Sequence, residues 1–357
     1  MVNKRSTLAL VLAALSVACG DDPLPATATS AAGAAFDASD ASIFGQSDGG
    51  APRVSLPGPP DAGDVQAEVA ADASQTADTG SGADVAGSDA AAPTTIFGPR
   101  PASVTVPKNW SKQDKWPLIL LLHGFSATGW QQDLYLGLTA RVDKLGFVAA
   151  VPEGTKNAAG IQFWNATKAC CNFGNQPVDD VAYIEALIDE AVAKLKVDPA
   201  RVYLYGHSNG AFMALRFACE RPAKVTAVLS LAGATDIDPK WCKNTLPVNV
   251  LFVHGTLDNV IPFNGGANLG NAFPGVKTSA ANWVGYDGCS AKGEKLTDIN
   301  FEDILLGNET NRTRWAPCKQ GTQVDLWQVN GALHVPLWND AYRDAAIEHL
   351  LARVREP

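Results

Sequence analysis

The chain has 357 residues, a formal net charge of −9 at pH 7 and a hydrophobic fraction of 46%. The acidity is confined to residues 20–95, which carry twelve acidic side chains and the single base Arg53, whereas residues 1–19 carry +2 and residues 96–357 are neutral. A neutral domain with no basic patch excludes a nucleic-acid-binding protein of the usual basic kind.

Residues 1–19 have the pattern of a secretory signal. Lys4 and Arg5 precede an apolar run at residues 8–18 that is too short to span a bilayer stably. The following Ser-Val-Ala-Cys at residues 16–19 resembles a bacterial lipobox, although Ser16 replaces the usual leucine, and the same residues also suit an ordinary signal peptidase. The sequence therefore predicts a protein that is either secreted or anchored at the cell envelope by a lipid on Cys19, its only predicted membrane contact.

Residues 20–95 are dominated by alanine, aspartate, glycine, serine and proline, with no hydrophobic periodicity. Such a segment buries too little apolar surface to offset the entropy of ordering it. We expect a disordered acidic linker without a binding role of its own. Residues 96–357 contain all nine tryptophans and suit one large domain.

Hydrophobic runs predict a series of short strands through this domain, at residues 102–107, 116–122, 147–151, 202–205, 227–231, 248–253 and 324–329. Apolar residues at spacings of three and four predict a helix that begins near Val178, and further helices are predicted at residues 211–219 and from Asn339 onward. The glycine- and asparagine-rich stretch between the last two strands is predicted to be irregular. Alternating strands and helices predict an α/β fold: a mostly parallel sheet covered on both faces.

Six of the seven cysteines lie in the domain, an even number that indicates disulfides in an exported protein rather than metal or redox chemistry. The sequence favours Cys289 with Cys318, and Cys219 with Cys242. Cys170 and Cys171 are left over, and their mutual pairing through a strained ring stays open.

Gly-His-Ser-Asn-Gly at residues 206–210 follows one predicted strand and precedes a predicted helix. That is the layout of a nucleophile elbow, in which a sharp turn exposes the serine in a cleft. Ser208 is the predicted nucleophile, although a glycine-flanked serine also occurs in ordinary turns.

A serine hydroxyl needs a base and a group that orients the base, and in this fold the acid and then the histidine follow the serine along the chain. His334 lies in the loop after the strand at 324–329, where such sheets place their sites, whereas His349 falls in the closing helix and is interpreted as a solvated surface residue. Asp258 follows the strand at 248–253 and is the predicted acid, with an Asx turn as its structural alternative. Four competing carboxylates are disfavoured by their positions: Asp179, Asp180, Asp236 and Asp238.

Backbone N–H groups of Asn209 and Phe125 are the predicted oxyanion donors. Trp130, Trp164 and Trp338 are candidates for stacking on a substrate ring, with plain core packing as the alternative. No metal motif is present, and this chemistry requires no cofactor.

The ordered motifs of the domain resemble those of the polyhydroxybutyrate depolymerase and feruloyl esterase group of α/β-hydrolases, which overlaps carbohydrate esterase family one. The matching motifs cover nearly all of residues 96–357 and none of the linker. In chain order they are His123-Gly124-Phe125, Gly146-Phe147-Val148, Pro152-Glu153-Gly154-Thr155, Phe163-Trp164-Asn165-Ala166, Cys170-Cys171, Val178-Asp179-Asp180-Val181, Asp198-Pro199-Ala200-Arg201-Val202, residues 206–210 and His254-Gly255-Thr256-Leu257-Asp258.

This resemblance implies the same roles for Ser208, Asp258 and His334. One departure concerns the pocket: relatives tend to have a tryptophan two residues after the histidine, whereas here the tryptophan is Trp338.

The predicted function is an exported serine esterase for feruloyl or acetyl esters of plant polysaccharide. The alternatives are a depolymerase or oligomer hydrolase for polyhydroxybutyrate and a catalytically silent tethered binding domain.

Overall fold

The computed structural model describes residues 94–96, 100–243 and 246–356. The predicted signal, Cys19 and the predicted linker up to residue 93 lie outside these residues. Thr95–Ile96, at the boundary between the predicted linker and the predicted domain, forms a strand, β1, that pairs antiparallel with β2 (Ala102–Thr105).

The other strands are β3 (Trp116–Leu122), β4 (Val148–Val151), β5 (Thr155–Lys156), β6 (Gln162–Phe163), β7 (Val197–His207), β8 (Ala227–Leu231), β9 (Asn249–Gly255), β10 (Gly265–Asn268), β11 (Asn271–Pro274), β12 (Glu294–Ile299), β13 (Thr310–Trp315) and β14 (Val324–Val329). The helices are α1 (Gly129–Leu136), α2 (Val142–Leu145), α3 (Asp180–Lys194), α4 (Asn209–Glu220), α5 (Val276–Tyr286) and α6 (Asp340–Leu351).

Ten of these strands form one sheet in the order β1-β2-β4-β3-β7-β8-β9-β14-β13-β12. The six central strands from β4 to β14 run parallel, and the pairs at both edges are antiparallel. All seven residues of β3 and of β9 are buried, as expected for strands covered on both faces. The predicted α/β fold is therefore confirmed.

Helices cover both faces of the sheet and bury two separate cores. Helices α3, α4 and α5 pack on one face through side chains such as Ile184, Phe212 and Trp283. Helices α1, α2 and α6 pack on the other through Tyr135, Val142 and Tyr342, among others. The chain thereby brings the carboxyl ends of the central strands to one edge, where parallel sheets bind ligands.

Side-chain caps explain where several helices begin. Asp179 accepts a hydrogen bond from the Ala182 N–H at the start of α3, and Asn339 accepts one from the Tyr342 N–H at the start of α6. Asp180, also in the first turn of α3, is fully buried and pairs with Arg100 at 2.6 Å. Asp179 and Asp180 therefore have structural roles.

The stretch after β9 that was predicted to be irregular contains the β10–β11 hairpin, α5 and the edge strands β12 and β13. No residue of β12 is buried, and only Thr310 is buried in β13, so neither strand has the apolar run that marks the central strands. Antiparallel edge strands of this kind are weakly encoded by hydrophobicity. The prediction for this stretch was wrong.

Among the described residues there are three disulfides: Cys219–Cys242, Cys289–Cys318 and the adjacent pair Cys170–Cys171. The two favoured pairings are confirmed, and the open question about the adjacent cysteines is answered by a bond between them.

Within residues 94–96, 100–243 and 246–356, no helix has the length and apolarity that a membrane span requires. Over the same residues, no group of three or more histidine, cysteine or acidic side chains is arranged to hold a metal ion.

Candidate active site

Ser208 occupies a sharp turn between the end of β7 and the start of α4. Its backbone has φ 53° and ψ −122°, a conformation that costs energy for any residue with a Cβ. The turn brings backbones very close together: a Cβ on Gly206 would lie 2.2 Å from the Gly210 carbonyl oxygen, and one on Gly210 would lie 2.1 Å from the Leu122 carbonyl oxygen. Gly206 is therefore required by the tight turn of the elbow itself, and Gly210 by the contact between the elbow and β3.

We expect Gly210→Ala to destabilise the fold severely. The clash is with backbone rather than with a side chain that could rotate away, so the start of α4 would have to move away from the end of β3, at a cost of at least about 3 kcal/mol. The free energy of urea unfolding measures this. Gly285→Ala is the matched control, since a Cβ there has open space around it. Equal stability of the two variants would contradict this account of the elbow.

Asp258 and His334 follow neighbouring parallel strands, three residues after β9 and five after β14. His334 Nδ1 lies 2.8 Å from Asp258 Oδ2, and both side chains are almost fully buried. Asp258 Oδ1 accepts the backbone N–H groups of Val260 at 2.9 Å and Ile261 at 2.8 Å. The carboxylate is thus held in a local turn, and the turn points its second oxygen at His334.

A second histidine, His254, also contacts the carboxylate. Its Nε2 lies 3.2 Å from Asp258 Oδ2 and 2.7 Å from the Ile261 carbonyl oxygen. Burial would raise the pKa of Asp258, but the hydrogen bonds from His254 and His334 outweigh it and hold that pKa well below its usual range. Asp258 is therefore ionised at neutral pH and accepts a hydrogen bond from the Nδ1–H of His334.

Ser208 and His334 line one small cleft, beside Gly124, Phe125 and the Cys170–Cys171 disulfide. A larger groove lies between α5 and β12–β13, with Lys277, Lys295 and Trp315 in its lining, but it contains none of the predicted site residues. The structure therefore brings Ser208 and His334 together at the predicted edge of the sheet, with Asp258 directly behind His334.

The two predicted oxyanion donors also lie at this cleft. Asn209 begins α4, where the helix dipole favours negative charge, and Phe125 lies in the turn after β3. Among the described residues, no group accepts a hydrogen bond from the backbone N–H of either Phe125 or Asn209. Both N–H groups are thus available to a ligand.

A clamp that the sequence did not reveal joins these two backbone segments. The Asn209 side chain accepts the Trp164 backbone N–H at 2.7 Å and donates to the Trp164 carbonyl at 2.9 Å. The Trp164 indole in turn donates to the His123 carbonyl oxygen at 3.0 Å. This chain of bonds fixes the elbow relative to the loop that carries Phe125, and it gives Trp164 a positioning role.

His207, inside the elbow motif, is buried and holds the loop of His334. Its Nε2 lies 3.2 Å from the His334 carbonyl oxygen. Burial, followed by the nearby His334, lowers the pKa of His207 to about 3, so its ring is neutral at physiological pH. This contact could not be predicted from the sequence, because the direction of the imidazole depends on the geometry of the turn.

The predicted ring-stacking residues are not at the cleft. Trp164 is fully buried, and Trp338 is 1% exposed and stacked on Tyr342 with 3.6 Å between ring centroids. Neither ring has a free face, so the core alternative holds for both and the stacking prediction was wrong. Trp130 is exposed, but it is not among the residues that line the Ser208 cleft. Trp338, which stands four residues after His334 where relatives tend to have a tryptophan two residues after the histidine, thus belongs to the core beneath α6.

His349 was interpreted as a solvated residue, but only 7% of its side chain is exposed, and its Nε2 lies 3.6 Å from Asp325 Oδ2. Burial lowers the pKa of His349 to about 4, although Asp325 opposes this. Helix α6 places His349 against β14. The sequence alone could not indicate this contact, because it depends on how the helix packs on the sheet.

We expect the protein to lose stability as the pH falls from about 6.5 towards 4. His207 and His349 have lowered pKa values when folded, so below pH 6.5 the unfolded chain binds protons that the folded chain does not, and unfolding becomes easier. At pH 5 the loss is roughly 2 kcal/mol per histidine. Urea unfolding at pH 7 and pH 5 measures it. His123 is buried with a lowered pKa as well, so His349→Gln is expected to remove only the share of His349, roughly 2 kcal/mol. A free energy of unfolding that does not fall would contradict this expectation.

Comparison with known proteins agrees with the fold. Residues 109–281 match the family model described as phospholipase/carboxylesterase. The acetyl xylan esterase from Aspergillus awamori aligns with a TM-score of 0.50 and 14% identity over 70% of this chain and 94% of that structure, which supports the fold alone. The chain therefore has the α/β-hydrolase fold.

Two relatives with assigned names are feruloyl esterases. Feruloyl esterase B of Piromyces equi is 28% identical over 66% of this chain, and feruloyl esterase D of Neurospora crassa is 27% identical over 67%. The match covers 42% of the Piromyces protein and 74% of the Neurospora protein. This chain is therefore similar to proteins named as feruloyl esterases, and it spans less than half of the length of the Piromyces protein.

Proposed function

We propose that the chain is a serine carboxylic-ester hydrolase in which Ser208 is the nucleophile, His334 the base and Asp258 the acid. The observation that carries this proposal is the 2.8 Å contact between His334 Nδ1 and Asp258 Oδ2, behind a cleft that His334 shares with the elbow serine. An ionised carboxylate on Nδ1 fixes the tautomer in which Nε2 can take a proton from the serine.

The proposed reaction has two halves. As the Ser208 Oγ attacks the ester carbonyl carbon, its proton passes to His334 Nε2, and the carbonyl oxygen becomes an oxyanion held by the N–H groups of Phe125 and Asn209. The tetrahedral intermediate then expels the alcohol, which takes the proton from His334. Water gives a proton to His334 and attacks the acyl-enzyme, and the carboxylic acid leaves as Ser208 recovers its proton.

For the substrate we favour feruloyl or acetyl esters of plant polysaccharide. Two relatives are named as feruloyl esterases, and the Ser208 cleft is lined mainly by apolar groups that suit an acyl chain. Hydrolysis of polyhydroxybutyrate or its oligomers is the second candidate, supported by the motif resemblance.

A catalytically silent binding domain is the alternative of a different class. It gives no reason for an ionised Asp258 aligned on His334 beside a serine with a strained backbone, since backbone strain costs stability and clusters at active sites.

One activity panel separates these possibilities. Methyl ferulate, acetylated xylan and 3-hydroxybutyrate oligomers are compared on the wild type and on Ser208→Ala. Preference for methyl ferulate or acetylated xylan supports the favoured substrate. Preference for 3-hydroxybutyrate oligomers supports the depolymerase hypothesis. Hydrolysis that survives in Ser208→Ala would refute the nucleophile.

We further propose export, with the mature chain either secreted or lipid-anchored. Mass spectrometry of the mature N-terminus distinguishes a diacylglyceryl group on Cys19 from an unmodified terminus. A mature protein that retains residues 1–18 would contradict export by this signal.

A further inference from the structure

The Cys170–Cys171 disulfide lies where the proposed reaction gives it no task. Both cysteines line the Ser208 cleft and both are buried, whereas the bonds Cys219–Cys242 and Cys289–Cys318 do not reach the cleft. A disulfide between adjacent residues closes too small a loop to stabilise the fold by restricting the unfolded chain. Its position points to a role at the cleft.

The loop that carries the disulfide is held from two sides. The Cys171 N–H donates to the Trp164 carbonyl oxygen at 3.4 Å, and the Trp164 backbone is clamped by the Asn209 side chain. From the other side, Asn268 Nδ2 donates to the Ala169 carbonyl oxygen at 3.0 Å. The disulfide is therefore fixed relative to the residue that follows Ser208.

Four apolar side chains line the cleft together with the disulfide. Phe125 and Phe173 meet edge to face with 5.6 Å between centroids, and Val260 and Ile261 complete the apolar part of the lining. Sulfur is soft and polarisable and packs well on aromatic groups. Because the bond ties two adjacent side chains together, neither can rotate, and this part of the wall needs no ordering when a ligand binds.

We propose that the Cys170–Cys171 disulfide is a specificity-determining part of the acyl site: the acyl group of the ester packs against its two sulfurs, and a large planar acyl group gains more from this contact than a small one. The inference rests on the proposed esterase function. It concerns the choice of acyl group and leaves the chemical step with Ser208, His334 and Asp258.

The test varies the acyl group at a constant alcohol. Kinetics of p-nitrophenyl ferulate and p-nitrophenyl acetate are compared in the wild type, in Cys170→Ser/Cys171→Ser and in the control Cys219→Ser/Cys242→Ser, which removes a disulfide remote from the cleft. We expect the first variant to lower the ferulate-to-acetate ratio of kcat/KM at least about tenfold, and the control to leave that ratio unchanged. An unchanged ratio in the first variant, or an equal shift in the control, would overturn the proposal.

Two further measurements keep the test decisive. Partial reduction of folded wild-type protein, with mass spectrometry to identify the opened bonds, should lower the same ratio in proportion to the opened Cys170–Cys171 fraction, so the test does not depend on a variant that folds. The Kd of ferulate for Ser208→Ala, with and without the two serine substitutions, needs no turnover. A Kd that rises about tenfold in the variant with both serine substitutions supports direct packing of ferulate against the disulfide, even if the esterase proposal fails. An unchanged Kd contradicts that packing.

Discussion

Replacing Ser208 with alanine is expected to lower kcat by at least about 10⁴-fold on every ester that the protein hydrolyses. The Ser208 hydroxyl is the only proposed bond-forming atom, and the oxyanion donors and the cleft can supply only the residual catalysis. The fold should survive, since the Ser208 side chain makes no capping hydrogen bond at the start of α4. Steady-state kinetics and circular dichroism measure the two effects.

The matched control is Ser230→Ala. Ser230 is buried in the neighbouring strand β8, and its hydroxyl has no hydrogen-bond partner among the described residues. We expect this variant to keep kcat within about twofold of the wild type. If Ser208→Ala retained activity comparable to this control, the nucleophile assignment would be wrong.

Asp258→Asn is expected to lower kcat about 10³- to 10⁴-fold with little change in KM. The asparagine oxygen can still accept the N–H groups of Val260 and Ile261, which places its NH₂ group opposite His334 Nδ1. Two donors cannot face each other, so the proton of the His334 ring must move from Nδ1 to Nε2. A protonated Nε2 cannot accept the proton of Ser208.

Asp236→Asn is the control for this prediction, since Asp236 also follows a strand of the sheet but lies outside the cleft. Its kcat should stay near that of the wild type. A pH profile of kcat/KM adds a readout that a purely structural defect would not change. The part of the profile in which activity depends on the protonation of the catalytic base should be altered in Asp258→Asn alone. Equal losses in the two variants would refute the assignment of the acid.

The central fold could be predicted because its strands are encoded by continuous apolar runs. Residues 116–122 and 248–253 had no other plausible state, and their order with the helices defined a parallel sheet. The edge strands β12 and β13 could not be predicted, because partly exposed antiparallel strands carry no such run. Their existence depends on pairing with β14, which is a tertiary property.

The candidate site was predicted where position along the chain determined it. Ser208, Asp258 and His334 each follow the end of a parallel strand, so the topology alone brings them to one edge. The supporting contacts were not predictable in this way. His207, His254 and the Asn209 side chain act through the directions of their side chains, and Trp164 and Trp338 were assigned to a surface that they do not reach, because composition cannot distinguish a buried indole from an exposed one.

Covalent labelling tests the central claim most directly. An organophosphate ester such as paraoxon transfers its phosphoryl group to an activated serine, and peptide mass spectrometry identifies the residue that carries it. The account predicts one diethylphosphoryl group per chain on Ser208, loss of esterase activity in proportion to labelling, and no labelling in Ser208→Ala. A label on another residue, or activity that persists in fully labelled protein, would contradict it.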